Sequence, residues 1–508
     1  MSDGVRARLR GLAVAAWPTA VVGLLAGIAA TAGSYATAGF TPGFVAAPVA
    51  GAIETYSPDA VIRYAIEYLG SLGQQLNLLS AVALVVLSFG AIATAWLAVG
   101  DRLDNRAVGP ALTGVTVWGL TVLLTGSVVL ALGAGLPAAA TLAVYEVIPA
   151  VGKRTGVDVS GARRRVLGLS AGVLGLSALG GVAGQWRTPA VTGDLNDGRA
   201  EAREALLATA SEQSLDLESE SAEPLVSTSF YNVDINAVDP TVQVDDWSLS
   251  VTGAVEEEVT VDYDALRAMP SEDRFVSLRC VGDDLNGYKV DNALWTGVEV
   301  DRLLEEAGPT SDCECVMLRA ADGFYEEFPL EALRGGLIAF GMNGTVLPRG
   351  HGYPARALVP GHWGEVNVKW LTEIELLERE AEGYWEKKGW HGTGPVNTVA
   401  KIHSVADVDG GKRVGGPAYA GTRGIERVEV STDGGDTWAE AQLSERLPDP
   451  NREFAEDAWR QWAYTYDPPG GEHEVVVRAV DGTGELQPED RSGSYPSGAS
   501  GWVSETVR

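Results

Sequence analysis

Cysteine is scarce, with 3 residues in a chain of 508. That number cannot staple a chain of this size, so a disulfide scaffold is excluded. Histidine is nearly as rare. There are 5, all at position 351 or later, so the first 350 residues cannot hold a bis-histidine heme. Positive charge is short, with 38 Lys/Arg against 68 Asp/Glu and a formal net charge of −30, which argues against a nucleic-acid partner. No GxGxxG or Walker loop in proper context occurs, and no HExxH or Gly-x-Ser-x-Gly. At 46% hydrophobic residues, long disorder is excluded as well.

The charge is unevenly spread. Residues 1–186 carry 11 Lys/Arg against 8 Asp/Glu, and residues 187–508 carry 27 against 60. Two solvents are implied. Long apolar stretches at Gly11–Ala30 and Leu76–Val99, two within Pro110–Ala150 broken near Gly133–Pro137, and a shorter one at Leu167–Val182 predict about five transmembrane helices over residues 1–186. Small residues there suit close helix packing in lipid. Between the first two spans, Ala60–Leu69 predicts an amphipathic helix.

Basic clusters at Arg6, Arg8 and Arg10, at Arg102 and Arg106, and at Lys153, Arg154 and Arg163–Arg165 fall on one side of five spans. The positive-inside rule makes that side cytoplasmic. The expected arrangement is a multi-pass cell-membrane protein with its N-terminus in the cytoplasm and its acidic body outside. The run Arg163-Arg164-Arg165-Val166-Leu167 also fits a twin-arginine export signal, and positive-inside flanking accounts for the same arginines. The spans carry no convincing proton or ion path and read as an anchor.

Residues 187–228, rich in Ala, Glu and Ser, read as a linker with a short helix. Strand runs at Trp247–Gly253, Thr260–Val261, Arg274–Leu278 and Cys315–Arg319, with helices at Tyr263–Met269 and Val298–Ala307, predict an α+β domain over 229–385. From about Lys401 only strands and turns follow. Ile425–Ser431, Trp438–Leu443, Trp459–Tyr466 and Glu472–Val480 predict an all-β sandwich over 386–508. Acidic residues spread along the whole body fit a surface kept hydrated at high salt, as in halophiles.

Cys313 and Cys315 flank Glu314 on one face of a strand run and read as buried small hydrophobes rather than metal ligands. Cys280 ends a strand run and opens a polar loop, Val281-Gly282-Asp283-Asp284-Leu285-Asn286-Gly287. A thiolate there can serve as a nucleophile or a soft-metal ligand. A second polar cluster runs from Arg349 through His351, Arg356 and His362 to Asn367, Val368 and Lys369. Its basic groups and glycines either cradle an anionic cofactor or form a turn-rich surface loop.

Several segments become distinctive when taken together: Phe230-Tyr231-Asn232-Val233-Asp234, Val244–Gly253, Ser277-Leu278-Arg279-Cys280-Val281, Asn292–Gly308 around Trp295-Thr296-Gly297, Ala321-Asp322-Gly323, Gly341-Met342-Asn343-Gly344 with Leu347-Pro348, His351–Pro360, Gly361–Glu375, and Ser431–Trp438. In that order the chain from about 229 resembles the sulfite oxidase superfamily of molybdopterin-dependent oxidoreductases, here of a haloarchaeal type. The resemblance implies a molybdenum–molybdopterin cofactor with Cys280 as the protein's thiolate on molybdenum. It implies His351, Arg356, Asn367, Val368, Lys369 and Asn232 as cofactor-binding positions, and an immunoglobulin-like C-terminal domain through which the chain forms a homodimer.

The implied reaction is oxygen-atom transfer with electrons passed to an unidentified carrier or quinone-linked membrane protein. Two departures bear on substrate. Asn232 stands where eukaryotic-type sulfite oxidases place an arginine, and Asp283 and Asp284 follow Cys280 where they place arginines. Two carboxylates near the metal would repel sulfite. The expected reaction is therefore reduction of a sulfoxide or N-oxide, with oxidation of sulfite or a related sulfur anion as the alternative. A non-catalytic membrane-anchored adhesion module is the reading from another class.

Overall fold

The computed structural model describes residues 3–147, 159–187, 191, 193–219, 221–310 and 313–508. Two compact units emerge. One comprises Met1–Pro189 with Asp234–Thr241, and the other Ala190–Val233 with Val242–Arg508.

The first unit is helical: α1 (Asp3–Ala38), α2 (Ala46–Tyr56), α3 (Asp59–Tyr64), α4 (Ser71–Arg102), α5 (Val108–Thr125), α6 (Leu132–Val147) and α7 (Val159–Arg187). Among the described residues, Pro18–Ala38, Leu72–Arg102 and Val108–Thr125 are long and apolar enough to cross a membrane, with mean hydropathies of 1.5, 2.3 and 1.5. Leu132–Val147 is a shorter apolar helix. The expected fifth span and Arg163–Arg165 lie within α7, whereas Lys153 and Arg154 fall outside the described residues. The expected amphipathic helix divides into α3 and a π-type turn, Ala65–Leu69.

Small residues do the packing. A Cβ added at Gly27 of α1 would overlap the Val86 carbonyl of α4, and one at Gly33 would overlap the Gly133 carbonyl of α6. Without a hydrophobic force between helices in lipid, such close backbone approach supplies the association. The expected break near Gly133–Pro137 is not there. α5 ends at Thr125, with Gly126 in the left-handed conformation at φ 72°. Gly133 and Pro137 sit inside α6, where they face Gly33 of α1. Their small size serves helix contact rather than termination.

The second unit begins with an arm. Residues 187–228 were expected as a linker, but over their described part they pack on the body. Leu195 is 1% exposed within the α+β core, and Leu217 and Leu225 are buried. In α8 (Ala200–Gln213), Arg203 is buried and bonds Asp273 at 2.7 Å and Asp197. That buried ion pair seats the arm.

The α+β part holds ten strands: β1 (Ser248–Gly253), β2 (Val259–Asp262), β3 (Glu272–Arg279), β4 (Val290–Glu299), β5 (Cys315–Ala320), β6 (Tyr325–Pro329), β7 (Leu337–Met342), β8 (Thr345–Val346), β9 (Arg356–Leu358) and β10 (Leu371–Leu377). They form two sheets. One has the order β2-β1-β10-β5-β6, and the other β3-β4-β7-β8 with β9 beside β7. β1 alternates Leu249 and Val251 inward with serine and threonine outward, as one buried face requires. β4 is buried along nearly its whole length. The helix Val300–Ala307 buries Val300, Leu303, Leu304 and Ala307, a stripe at helical spacing, and stops at Gly308 with φ 63°. These bounds lie within two residues of the sequence expectation.

The C-terminal part is all β: β11 (Val399–Ala400), β12 (Ser404–Val408), β13 (Gly411–Tyr419), β14 (Ile425–Ser431), β15 (Ala439–Glu440), β16 (Gln442–Leu443), β17 (Arg460–Tyr466), β18 (His473–Asp481) and β19 (Val503–Val507). One sheet runs β11-β13-β17-β16 with β12 beside β13, and the other β15-β14-β18-β19. Val414, Trp462, Val428, Val430, Val475 and Val477 share a single core between them.

Cys313 and Cys315 are joined in a disulfide, which corrects their expected role as free buried hydrophobes. Two residues apart, their α-carbons lie 5.2 Å from each other, within bridging reach.

Candidate active site

Cys280 is the free thiol, placed where β3 ends. β3 and β4 pair antiparallel up to Arg279 and Val290, and residues 280–289 form the loop between them. Cys280 N–H donates to the Lys289 carbonyl at 3.0 Å, and Asp283 N–H donates to the Cys280 carbonyl at 3.0 Å. The surroundings are dense enough that burial pushes the thiol up to about 11, against Lys289 and the Gly282 N–H, which pull it down.

Asp283 holds the loop. Its carboxylate is fully buried and meets Lys401 Nζ at 2.5 Å and Arg279 Nε at 3.3 Å. It also accepts from Lys289 N–H at 2.9 Å. Burial opposes its ionisation, yet Lys401 and Arg279 hold it below the usual carboxylate range. Burial lowers Lys401 to about 8, with Asp283 opposing. Lys401 further donates to the carbonyls of Asp284 at 3.2 Å and Gly287 at 2.7 Å.

Asn286 pairs reciprocally with the main chain of Ile402 at 3.0 and 2.9 Å. Arg279 reaches the carbonyls of Asn397 and Ala499 at 3.1 and 3.2 Å and stacks on Trp363. The Cys280 loop is thus clamped by main chain and side chains of the C-terminal β part. Sequence reasoning missed Lys401, Asn286 and Arg279. The one available signal was a lone lysine between apolar residues, and its partner lies 118 positions away.

The expectation about the two aspartates changes accordingly. Asp283 faces two cations and presents no net negative charge to a ligand. Asp284 is exposed.

The second expected cluster also comes close to Cys280. Arg279 and Trp363 form a parallel bridge, and a Cβ on Gly364 would lie 3.5 Å from Cys280 Cα and 2.9 Å from the Tyr231 hydroxyl. Phe230 packs on Trp295 and on His351, each with ring centroids 5.5 Å apart. Asn232 Oδ1 accepts from Lys369 Nζ at 2.5 Å, and Lys369 also reaches the Gly350 carbonyl at 3.0 Å. Burial, then Arg356 and Lys369, lowers His351 to about 3, so its ring is neutral.

Arg356 is 4% exposed and donates to the carbonyls of His351 and Asn367 at 3.2 and 2.7 Å. Asn367 accepts from Val359 N–H at 2.7 Å and donates to the Trp363 carbonyl at 3.0 Å, and Val368 is buried. Asn232, His351, Arg356, Asn367, Val368 and Lys369 therefore converge. Asn232 is exposed and Lys369 half-buried, while Asn367 and Val368 shape the loop from within.

The donor set suits an anionic, sulfur-ligated metal cofactor. A free soft thiol stands at a strand end. Nearby, the Lys369 ammonium is held at a partly exposed position and suits a phosphate. At Gly352, with φ 112°, a Cβ would press on Lys369 at 3.1 Å, so the backbone there approaches as only glycine allows.

Residues 236–385 match the family described as the oxidoreductase molybdopterin binding domain, and residues 396–495 match the Mo-co oxidoreductase dimerisation domain. The chain is 27% identical over 301 residues to a mitochondrial sulfite oxidase of Rattus norvegicus, covering 49% of this chain and 55% of that protein. It is 26% identical over 316 residues to a sulfite oxidase of Arabidopsis thaliana, covering 48% and 77%. The chain spans about half the length of most of the curated relatives it matches. Among solved structures, the sulfane dehydrogenase SoxCD from Paracoccus pantotrophus aligns at 20% identity with a TM-score of 0.47, over 64% of this chain and 94% of that one. Over residues 236–385 and 396–495 the chain is thus similar to the sulfite oxidase superfamily of molybdopterin-dependent oxidoreductases.

Proposed function

We propose that the chain is a membrane-anchored oxidoreductase that carries out oxygen-atom transfer at a molybdenum–molybdopterin cofactor held by Cys280. The observation that carries this reading is the convergence of a free, half-buried thiol with the Lys369–Asn232 pair around Trp363 and Gly364. The cofactor, when bound, supplies the two-electron oxygen-atom chemistry. The protein supplies position. Cys280 offers its sulfur as a metal ligand, Lys369 and Asn232 hold an anionic group, and neutral His351 contributes a ring donor or acceptor. Arg356, Asn367 and Val368 keep their loop in shape, and the Asp283–Lys401–Arg279 cluster keeps Cys280 in register.

Oxidation of sulfite or a related sulfur oxyanion is the substrate reading favoured here. Of Asp283 and Asp284, the carboxylates that would repel sulfite, Asp283 is neutralised by two cations. The relatives named sulfite oxidase point the same way. Reduction of a sulfoxide or N-oxide remains as a second reading, favoured by one observation. Asn232, not an arginine, stands beside Lys369, which leaves the site with less positive charge for an anion. Sulfite-dependent reduction of an acceptor, assayed beside turnover of a sulfoxide with a reduced dye, separates them. Sulfoxide turnover without sulfite turnover would overturn the preference.

The anchor places the N-terminus in the cytoplasm and the catalytic part outside, supported by the arginines flanking the apolar helices. Protease accessibility in intact cells tests this. Arg163–Arg165 would engage twin-arginine export machinery, and electrons would leave through a carrier or a quinone-linked membrane protein. The two-sheet C-terminal part reads as immunoglobulin-like and as the surface of a homodimer, in keeping with its match to a dimerisation domain. Light scattering in detergent tests the dimer.

A further inference from the structure

Three glutamates meet behind the turn that packs beside Cys280, and none of them is among the expected cofactor-binding residues. Glu326 lies in β6, Glu365 in the turn Gly364–Val366, and Glu386 in the turn Glu386–Lys388. Oxygens from all three lie within 4.8 Å of one another. Glu326 is 0% and Glu365 8% exposed. Both oxygens of Glu365, both of Glu386 and Oε1 of Glu326 are buried without a hydrogen bond of normal geometry. Glu326 Oε2 receives a long contact of 3.4 Å from Trp385 N–H.

Glu326 and Glu386 meet carboxyl to carboxyl and the Gly392 N–H approaches Glu365, and buried carboxylates with so little well-formed hydrogen bonding are costly and call for a compensating cation. Lys387, beside Glu386 in sequence, donates to the Tyr325 hydroxyl at 2.9 Å. Burial and the neighbouring carboxylates push Glu326 well above the usual carboxylate range and Glu365 up to about 8.

Two glycines point independently to a built site. A Cβ at Gly383 would collide with Glu326 Oε1, and one at Gly392 with the Glu365 carboxylate. Neither glycine has a positive φ, so the backbone does not demand glycine there. The room for the carboxylates does.

We propose that Glu326, Glu365 and Glu386 form a binding site for a hard divalent cation of the size of Ca²⁺. An oxygen-only donor set excludes soft metals. Ca²⁺ bonds oxygen at about 2.3–2.6 Å, so one ion spans oxygens up to ~5 Å apart. Mg²⁺ holds its waters more tightly, and three buried carboxylates suit a dehydrated ion. The bound ion ties β6 to the turn that carries Gly364, which packs beside Cys280, and to the turn after Trp385.

The test uses the full chain in detergent, freed of metal with a chelator. Ca²⁺ in 100-fold excess over its Kd should raise the melting temperature by roughly 5 °C, with a smaller rise for Mg²⁺. Tb³⁺ should give luminescence on tryptophan excitation, displaced by Ca²⁺, because Trp385 abuts the site. Glu365→Gln and Glu326→Gln should each weaken Ca²⁺ at least tenfold. Wild-type protein whose melting temperature is unmoved by Ca²⁺, with no displaceable Tb³⁺ signal, would overturn the proposal. So would Gln variants that leave Ca²⁺ affinity unchanged. If a Gln variant fails to fold, the wild-type titrations alone still decide.

Discussion

Replacing Lys401 with Met removes one cation from a pair in which both side chains are fully buried at 2.5 Å. Breaking a buried pair by deleting one partner costs about 3–5 kcal/mol, because the remaining charge is stranded. Arg279, at 3.3 Å, still faces Asp283, which places the loss near the low end, ~3 kcal/mol. Lys401→Met also leaves the Asp284 and Gly287 carbonyls without their ammonium donor, so the loop that presents Cys280 should loosen before the sheets do. At about 2 °C per kcal/mol for a unit of this size, thermal unfolding should shift by ~6 °C. Alkylation of Cys280 in cofactor-free protein should speed up well beyond that of wild type. A double-mutant cycle with Asp283→Asn should show coupling of about 1–3 kcal/mol. A loss below ~1 kcal/mol, or simple additivity of the two changes, would refute the clamp.

Three further outcomes are expected. Asp457 is buried, accepts from the Tyr419 hydroxyl at 2.7 Å and from Gly361 N–H at 3.0 Å, and burial raises its pKa to about 7. A raised carboxyl stabilises the fold below its unfolded pKa of 3.8 and loses that contribution as pH climbs toward 7, up to ~4 kcal/mol in all. Asp457→Asn should flatten this part of the denaturation profile between pH 4 and 7, and an unchanged profile would contradict the assignment. Asn232→Arg adds a cation beside Lys369 and should lower KM for sulfite several-fold with little change in kcat, measured by acceptor reduction. A KM that stays the same would place the anion elsewhere. In the anchor, Gly27→Leu should force α1 from α4 where backbone meets backbone, seen as a lower detergent melting temperature of the helical unit with the second unit unaffected. An unchanged helical melting temperature would refute that close contact.

Periodic segments were legible in the sequence. The inward face of β1, the stripe of Val300–Ala307 and the alternation of Ile425–Ser431 follow from local pattern alone, and the structure places these elements within two residues. Cys280 and the His351–Lys369 cluster were visible because their residue types carry chemistry in an otherwise bland chain. What escaped depended on long-range contact. Whether Asp283 repels a substrate turns on Lys401, and no local rule pairs the two. The acidic arm looked like a linker until Arg203 and Asp273 are seen to meet. The break placed at Gly133–Pro137 misjudged small residues that serve a neighbouring helix. Cys313 and Cys315 looked like strand fillers, although a two-residue spacing already lies within reach of a bridge.

The proposed function rests on Cys280 as the protein's ligand to molybdenum. X-ray absorption at the molybdenum edge tests it directly, on wild type and on Cys280→Ser. Metal and pterin are expected in the purified wild-type chain, and one fewer sulfur neighbour at molybdenum in the variant, with turnover lost and the fold retained. An unchanged sulfur shell in the variant, or wild-type protein without molybdenum, would contradict it.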